Sequence, residues 1–160
     1  MEKTNLLHQI PLFKKLTSAD LQKLNEIVMN VTFDKGQRIF TEGIPGDSLF
    51  VINSGLVKVF KKGRVENEEV VSLGPGQHFG EMALIDDGPR STTIEAVEYT
   101  KLLQIKREDL ETLLAADLGF ARRIYRTMAQ YLCLRLRQTT KDFAFTTETA
   151  KELKFYVSQY

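Results

Sequence analysis

Tryptophan is absent, cysteine occurs once and histidine twice, and these scarcities remove several chemistries before any motif is considered. The single cysteine, Cys133, cannot close an internal disulfide, which fits a reducing compartment. Nothing near it suggests the setting of a nucleophile, so Cys133 is expected as a small buried hydrophobe. The two histidines, His8 and His78, stand far apart in the chain. A catalytic metal needs clustered imidazoles with a carboxylate, and that cluster is missing. His78 is expected to face solvent or to pack at the start of a strand. Neither a Ser–His–Asp nor a Cys–His arrangement is evident, and no P-loop lysine motif occurs. The adjacent Asp86 and Asp87 read as a turn, because neighbouring side chains point apart. The chain is therefore read as a protein that is not an enzyme.

Excess charge of one sign is lacking too. Lys and Arg number 22 against 21 Asp and Glu, a formal net charge of +1. Such a balance provides no general drive toward nucleic acid or an anionic membrane. No window approaches the ~18 apolar residues of a membrane span, and the N-terminal MEKTNLLHQIPLF has no signal-peptide pattern. A cytoplasmic protein with no membrane partner is the expectation.

What remains is a chain of 160 residues, 42% hydrophobic, enough for one compact domain. Residues 18–27 read as a helix, with Thr17 or Ser18 as cap, Asp20 in the first turn, and Leu21, Leu24 and Ile27 on one face. Leu12, Phe13 and Leu16 should pin it to a larger body. Residues 1–27 form an N-terminal helical segment on this reading. From 28 to 106 the composition changes. VMNVTF, RIFT, SLFVIN, LVKVF, EVVSL, HFG, TTIEA and KLLQI have strand length and composition, separated by glycine-rich turns. Gly36, Gly43, Gly46, Gly55, Gly74, Gly76 and Gly80 mark the corners, and Asn53-Ser54-Gly55 reads as a tight hairpin. Short strands with frequent turns predict an all-β sandwich, jelly roll or closed barrel, mainly β with flanking helices.

Residues 107–141 turn helical. The first helix starts with acids and spaces Leu110, Leu113 and Leu114 on one face. A second runs from about 117 to 141 with two apolar stripes. Leu118, Ala121, Tyr125, Met128 and Leu132 form one, and Phe120, Ile124, Tyr131 and Leu134 the other, so one face should cover the barrel and the other meet something else. Arg122, Arg123, Arg126, Arg135 and Arg137 read as a solvated basic face, or as an interface with acids across it. Residues 142–160 are expected as a short tail, either a docking helix or a frayed end.

The chemistry concentrates in FGEMALIDDGPRSTT, residues 79–93. If 81–84 wind into a helical turn, its free N–H groups attract an anion. Arg90 adds a planar cation suited to two-pronged contact with a phosphate, with Ser91, Thr92 and Thr93 as hydroxyl donors beside it. Glu81 is an acceptor for a vicinal sugar hydroxyl. The combination calls for one phosphate and one ribose hydroxyl close together.

This segment resembles the phosphate-binding cassette of cyclic-nucleotide-binding domains, through Phe79, Gly80, Glu81, Met82, Ala83, Leu84 and then Pro89, Arg90, Ser91. Upstream, KGQRIFTEGIPGDSLFVINSGLVKVF is similar to the family's first barrel half, with Gly36, Gly43, Gly46, Asp47 and Gly55 at its corners. The resemblance covers about residues 10–141 and extends to catabolite activators and protein-kinase-A regulatory subunits. It implies a double-stranded β-helix barrel between helices. It also implies a cyclic nucleotide as ligand, cyclic AMP (cAMP) favoured and cyclic GMP (cGMP) the alternative, with no cofactor and no metal. Arg90 would bind the cyclic phosphate and Glu81 the ribose 2′-hydroxyl. Gly80, Met82 and Ala83 would supply backbone contacts, Ser91 or Thr92 a hydroxyl, and Val71 and Leu73 a wall for the purine. Thr92 stands where the family often has alanine. Thr139 and Thr140 match positions that contact the purine across a dimer in the catabolite-activator branch, and a homodimer through residues 118–139 is implied. In that branch a helix-turn-helix domain follows the long helix. About 19 residues remain here, too few for one, so DNA binding by this chain is not expected. The readings carried forward are a ligand sensor acting on an unknown downstream protein, a ligand-free scaffold module, or the sensor fragment of a longer transcription regulator.

Overall fold

A computed structural model of the chain describes residues 3–62 and 67–157, with side chains over 5–62 and 71–146. Two helices come first, α1 (Lys3–Gln9) and α2 (Ser18–Ile27). Eight strands follow: β1 (Met29–Phe33), β2 (Arg38–Phe40), β3 (Ser48–Ser54), β4 (Val57–Lys62), β5 (Asn67–Leu73), β6 (His78–Phe79), β7 (Thr93–Ala96) and β8 (Thr100–Lys106). A 3-10 turn, Glu81–Leu84, sits between β6 and β7, and α3 (Arg107–Ala116) and α4 (Leu118–Val157) close the chain. The strands pair antiparallel in two four-stranded sheets, β1-β8-β3-β6 and β2-β7-β4-β5, which wrap into the jelly roll.

That topology corrects one expectation. Asn53-Ser54-Gly55 does not join a hairpin, since β3 and β4 lie in opposite sheets. A glycine turn between two apolar runs looks the same in sequence whether the strands pair or cross between layers.

Two cores form on either side of the first sheet. In β3 the side chains alternate across the sheet. Leu49 and Val51 join a core shared with Leu7, Phe13, Leu24, Phe120 and Ile124 of the helices, while Phe50 and Ile52 join Phe40, Val59, Phe79 and Ile94 inside the barrel. β3 therefore reads as a continuous apolar run because both of its faces are covered. Each fully buried aliphatic or aromatic side chain contributes about 1.5–3 kcal/mol of transfer free energy.

Helix α2 begins where its cap dictates. The Thr17 hydroxyl accepts from the Asp20 N–H at 3.2 Å and the Asp20 carboxylate accepts from the Thr17 N–H at 3.0 Å, a reciprocal capping box. Asp20 does more than cap. Only 1% exposed, it accepts two hydrogen bonds of 2.7 Å from Arg123 of α4. Arg123 is thus no member of a solvated face; it pins α4 to the N-terminal helices. Lys23 pairs with Asp117, and Lys15 donates to Gln130 at 2.9 Å along the same seam.

The long helix also departs from expectation. It continues to Val157 with no break near 141, so residues 142–157 of the segment expected as a short tail belong to one helix of 40 residues, ~60 Å of rise, and 158–160 lie outside the described residues. Its buried face draws on both expected stripes. Phe120, Ile124 and Met128 are buried, with Ala121 and Tyr131 packed beside them, whereas Leu118, Tyr125, Leu134 and Leu136 are exposed. Cys133 is exposed as well, not buried, because α4 is leaving the barrel at that point. Among the described residues no helix is long and apolar enough to cross a membrane.

Candidate functional site

Phe79 ends β6, and Gly80 turns the chain with φ of +79°, a left-handed conformation that glycine adopts without penalty. The turn at 81–84 follows as the sequence suggested, with Ala83 N–H donating to the Gly80 carbonyl at 3.2 Å. Ten residues after Gly80, Arg90 is strapped to the opposite loop. Its N–H donates to the Ile44 carbonyl at 2.8 Å and its carbonyl accepts from Gly43 N–H at 2.9 Å. Two glycines make room for its side chain. A Cβ on Gly80 would lie 2.6 Å from Arg90 Nη1, and one on Gly46 would lie 3.1 Å from Nε and 2.8 Å from Ala83 Cβ.

Arg90 is 6% exposed. Its guanidinium lies over the Phe40 ring at 4.1 Å and within 6.0 Å of Phe50. The polar contacts are thin for a group with five donors. Nη1 donates to the Gly80 carbonyl at 3.4 Å, Nη2 stands 3.7 Å from the exposed Asp47 carboxylate, and Nε has no partner. Burial lowers the Arg90 pKa, with Asp47 opposing and Arg107 adding to the effect. A buried cation left this short of acceptors is poised for an anion.

Glu81, 8% exposed, faces Arg135 of α4 at 3.5 Å. Among the described residues Arg90 pairs with Asp47 and Glu81 with Arg135, so the residues expected to grip the ligand are not joined to each other. Arg90, Glu81 and Arg135 line a cavity of about 240 Å³. Gly80, Met82, Ala83, Ser91, Thr92, Val71 and Leu73 line it too, so every residue expected at the site within one copy of the chain is brought together. Val71 and Met82 are half exposed at its rim. Thr139 and Thr140 are not brought in: both are exposed on α4 beyond Arg135, with the Thr140 hydroxyl donating to the Leu136 carbonyl at 2.9 Å.

Several lining residues escaped the sequence reading, Phe40, Arg135 and His78 among them. Phe40 supplies the floor under Arg90. Arg135 lines the cavity and donates from Nη1 to the Tyr131 hydroxyl at 2.9 Å. In the sequence it reads only as one of the basic residues along the long helix. His78 is buried at the start of β6, the second of its two expected placements, with its ring 4.9 Å from that of Tyr131 and Nε2 unpartnered. Burial lowers the His78 pKa, with Glu81 opposing the shift and Arg135 reinforcing it.

Comparison with known proteins agrees with this geometry. The cyclic nucleotide-binding domain family matches residues 30–117. The CRP-like cAMP-activated global transcriptional regulator of Mycobacterium tuberculosis is 27% identical over 140 residues, 87% of this chain and 61% of that protein. Among solved structures, the Thermus thermophilus catabolite activator protein superposes with a TM-score of 0.74 at 31% identity, covering 86% of this chain and 63% of that one. The regulatory domain of Toxoplasma gondii PKA in co-crystal with cAMP gives 0.65 at 28% identity, covering 68% and 42%. The chain thus spans less than two thirds of the length of each of these relatives. Barrel, glycine corners, cassette and family match coincide over the same residues, and the chain belongs to the cyclic nucleotide-binding domain family.

Proposed function

We propose that this chain is a cyclic-nucleotide sensor, cAMP favoured over cGMP, that couples ligand capture to its C-terminal helices. The observation carrying the proposal is Arg90, a buried guanidinium with unspent donors on the wall of a cavity that the Glu81 carboxylate also lines. A cyclic phosphate would complete Arg90's hydrogen bonding together with the amides of the 81–84 turn. The ribose 2′-hydroxyl would donate to Glu81, and Val71 and Leu73 would flank the purine. Two of the relatives named above carry cAMP in their descriptions, which favours that nucleotide.

Coupling to α4 follows from Arg135. A ribose hydroxyl arriving at Glu81 shares an acceptor that now faces this helix. The ligand thereby acts differently on two positions of α4, the requirement for any population shift. The exposed Leu118, Tyr125 and Leu134 offer a face for a homodimer through residues 118–139, which would place Thr139 and Thr140 of each copy toward the other's purine. On this reading the chain performs no chemistry; it acts within the cytoplasm on a downstream protein and binds neither DNA nor membrane. As a fragment of a longer regulator it would have the same ligand chemistry, consistent with the share of its relatives that it spans. The alternative is a ligand-free scaffold of the same fold. Calorimetry with cAMP and cGMP on the wild type and on Arg90→Ala separates them. Saturable binding lost in the variant supports the sensor; no heat from either nucleotide at millimolar concentration favours the scaffold.

A further inference from the structure

Arg107 opens α3 and stands outside the ligand cavity, yet it holds the cassette from behind. Its Nε donates to the Ala83 carbonyl, and Nη2 donates to the Gly46 carbonyl at 2.7 Å and to the Asp86 carbonyl at 2.8 Å. Nη1 pairs with Asp87, which is almost fully exposed. Its backbone N–H donates to the Asp47 carbonyl at 2.7 Å. One residue thus gathers carbonyls from both loops that shape Arg90's position. The 44–47 loop has Gly46 against the Arg90 side chain and Asp47 as its ion-pair partner, and the 83–87 segment follows Glu81. The Gly46–Asp47 loop touches two guanidinium groups, Arg90 on the cavity side and Arg107 from the start of α3.

The start of α3 has no side-chain cap of its own. A first helical turn ordinarily needs partners for its free N–H groups. Here the first N–H is taken by the Asp47 carbonyl, so the position of α3 is referred to the same loop that flanks the phosphate clamp. A planar fork with donors on three nitrogens is the side chain suited to such divergent acceptors; a lysine ammonium is a point charge on a flexible stem.

We propose that Arg107 is the positioning residue that locks the two loops around Arg90 and transmits their movement to α3. This rests on the cyclic-nucleotide reading of the cavity. Pull on Arg90 and the 81–84 turn by a bound phosphate shifts carbonyls that Arg107 holds, and Arg107 is itself the first residue of α3. The ion pair with Asp87 adds little, because that carboxylate is solvated.

The test uses the full chain with cAMP and cGMP as probes, comparing wild type, R107Q and R107K. Calorimetry on the wild type judges the ligand reading alone; absence of binding there removes that reading, and this proposal with it. Given wild-type binding, R107Q weakens affinity by tenfold or more. Amide exchange in 107–116 then no longer responds to nucleotide, even at concentrations that saturate the variant. That second readout separates coupling from a merely structural role, which would leave the response intact once ligand is bound. R107K keeps the charge and loses the fork, so it behaves like R107Q, and it carries the test should R107Q fail to fold. An affinity within twofold of wild type in the variant tested, or a preserved exchange response at saturation, overturns the proposal.

Discussion

Two buried charge clusters in this molecule are built in opposite ways. At the seam between α2 and α4, Asp20 is matched by Arg123 through two hydrogen bonds of 2.7 Å and by its own capping box. In the cavity, Arg90 and Glu81 are nearly as buried but stand 3.7 and 3.5 Å from their partners, and Arg90 Nε has none. The seam is satisfied and closed, so it holds helices together. The cavity is under-satisfied, the arrangement that the proposed ligand would complete. A buried charge is informative through the completeness of its hydrogen bonding, more than through its burial.

The largest effect should fall on the seam. Arg123→Ala leaves the Asp20 carboxylate buried without its bidentate partner and should lower the urea unfolding midpoint more than any other change named here. Nucleotide affinity should stay within threefold; a large affinity loss at full folding would erase the distinction between the clusters. Arg90→Ala should do the reverse. Nucleotide affinity falls at least ~100-fold, about 3 kcal/mol, with little change in unfolding midpoint, since the lost contacts are long or absent. A midpoint shift as large as that of Arg123→Ala would show Arg90 to be structural.

Acid should open the seam next. The paired Arg123 guanidinium holds the Asp20 carboxyl down at about 2, against an ordinary 3.8. A carboxyl with a lowered folded-state pKa contributes stability above its ordinary value and loses it as pH falls through the folded one. About 2 kcal/mol should therefore disappear between pH 4 and pH 2. In Asp20→Asn that acid limb should be missing from the stability profile. The smallest effect belongs to His78, whose pKa is lowered by burial. Its contribution is present above the ordinary value of 6.5 and declines as pH falls below it toward the folded pKa. His78→Phe should flatten stability in that window, and an unaltered slope there would remove His78 from the account.

Much of this was legible in advance, for identifiable reasons. Helix α2 could be bounded from Thr17 and Asp20 because a capping box acts over three residues. The cassette could be read because Gly80, Glu81 and Arg90 are neighbours in the chain and their geometry is that of a single loop. The misreadings share a different cause. The turn at Gly55 reads as a hairpin in sequence although β3 and β4 do not pair, because pairing partners are chosen by the sheet and not by the turn. Cys133 was expected inside because apolar periodicity along α4 does not say where the barrel surface ends.

The local chemistry, then, was set down in the order of residues: eight strands, their glycine corners, a capped helix, and an arginine at a fixed interval from a glutamate. Which charges would meet was not. Asp20 finds Arg123 from 103 positions away, and Glu81 finds Arg135 across the interface between cassette and α4. Such contacts depend on where the folded layers bring distant chain segments, because an ion pair is made by proximity in space, on which sequence spacing is silent beyond a few residues.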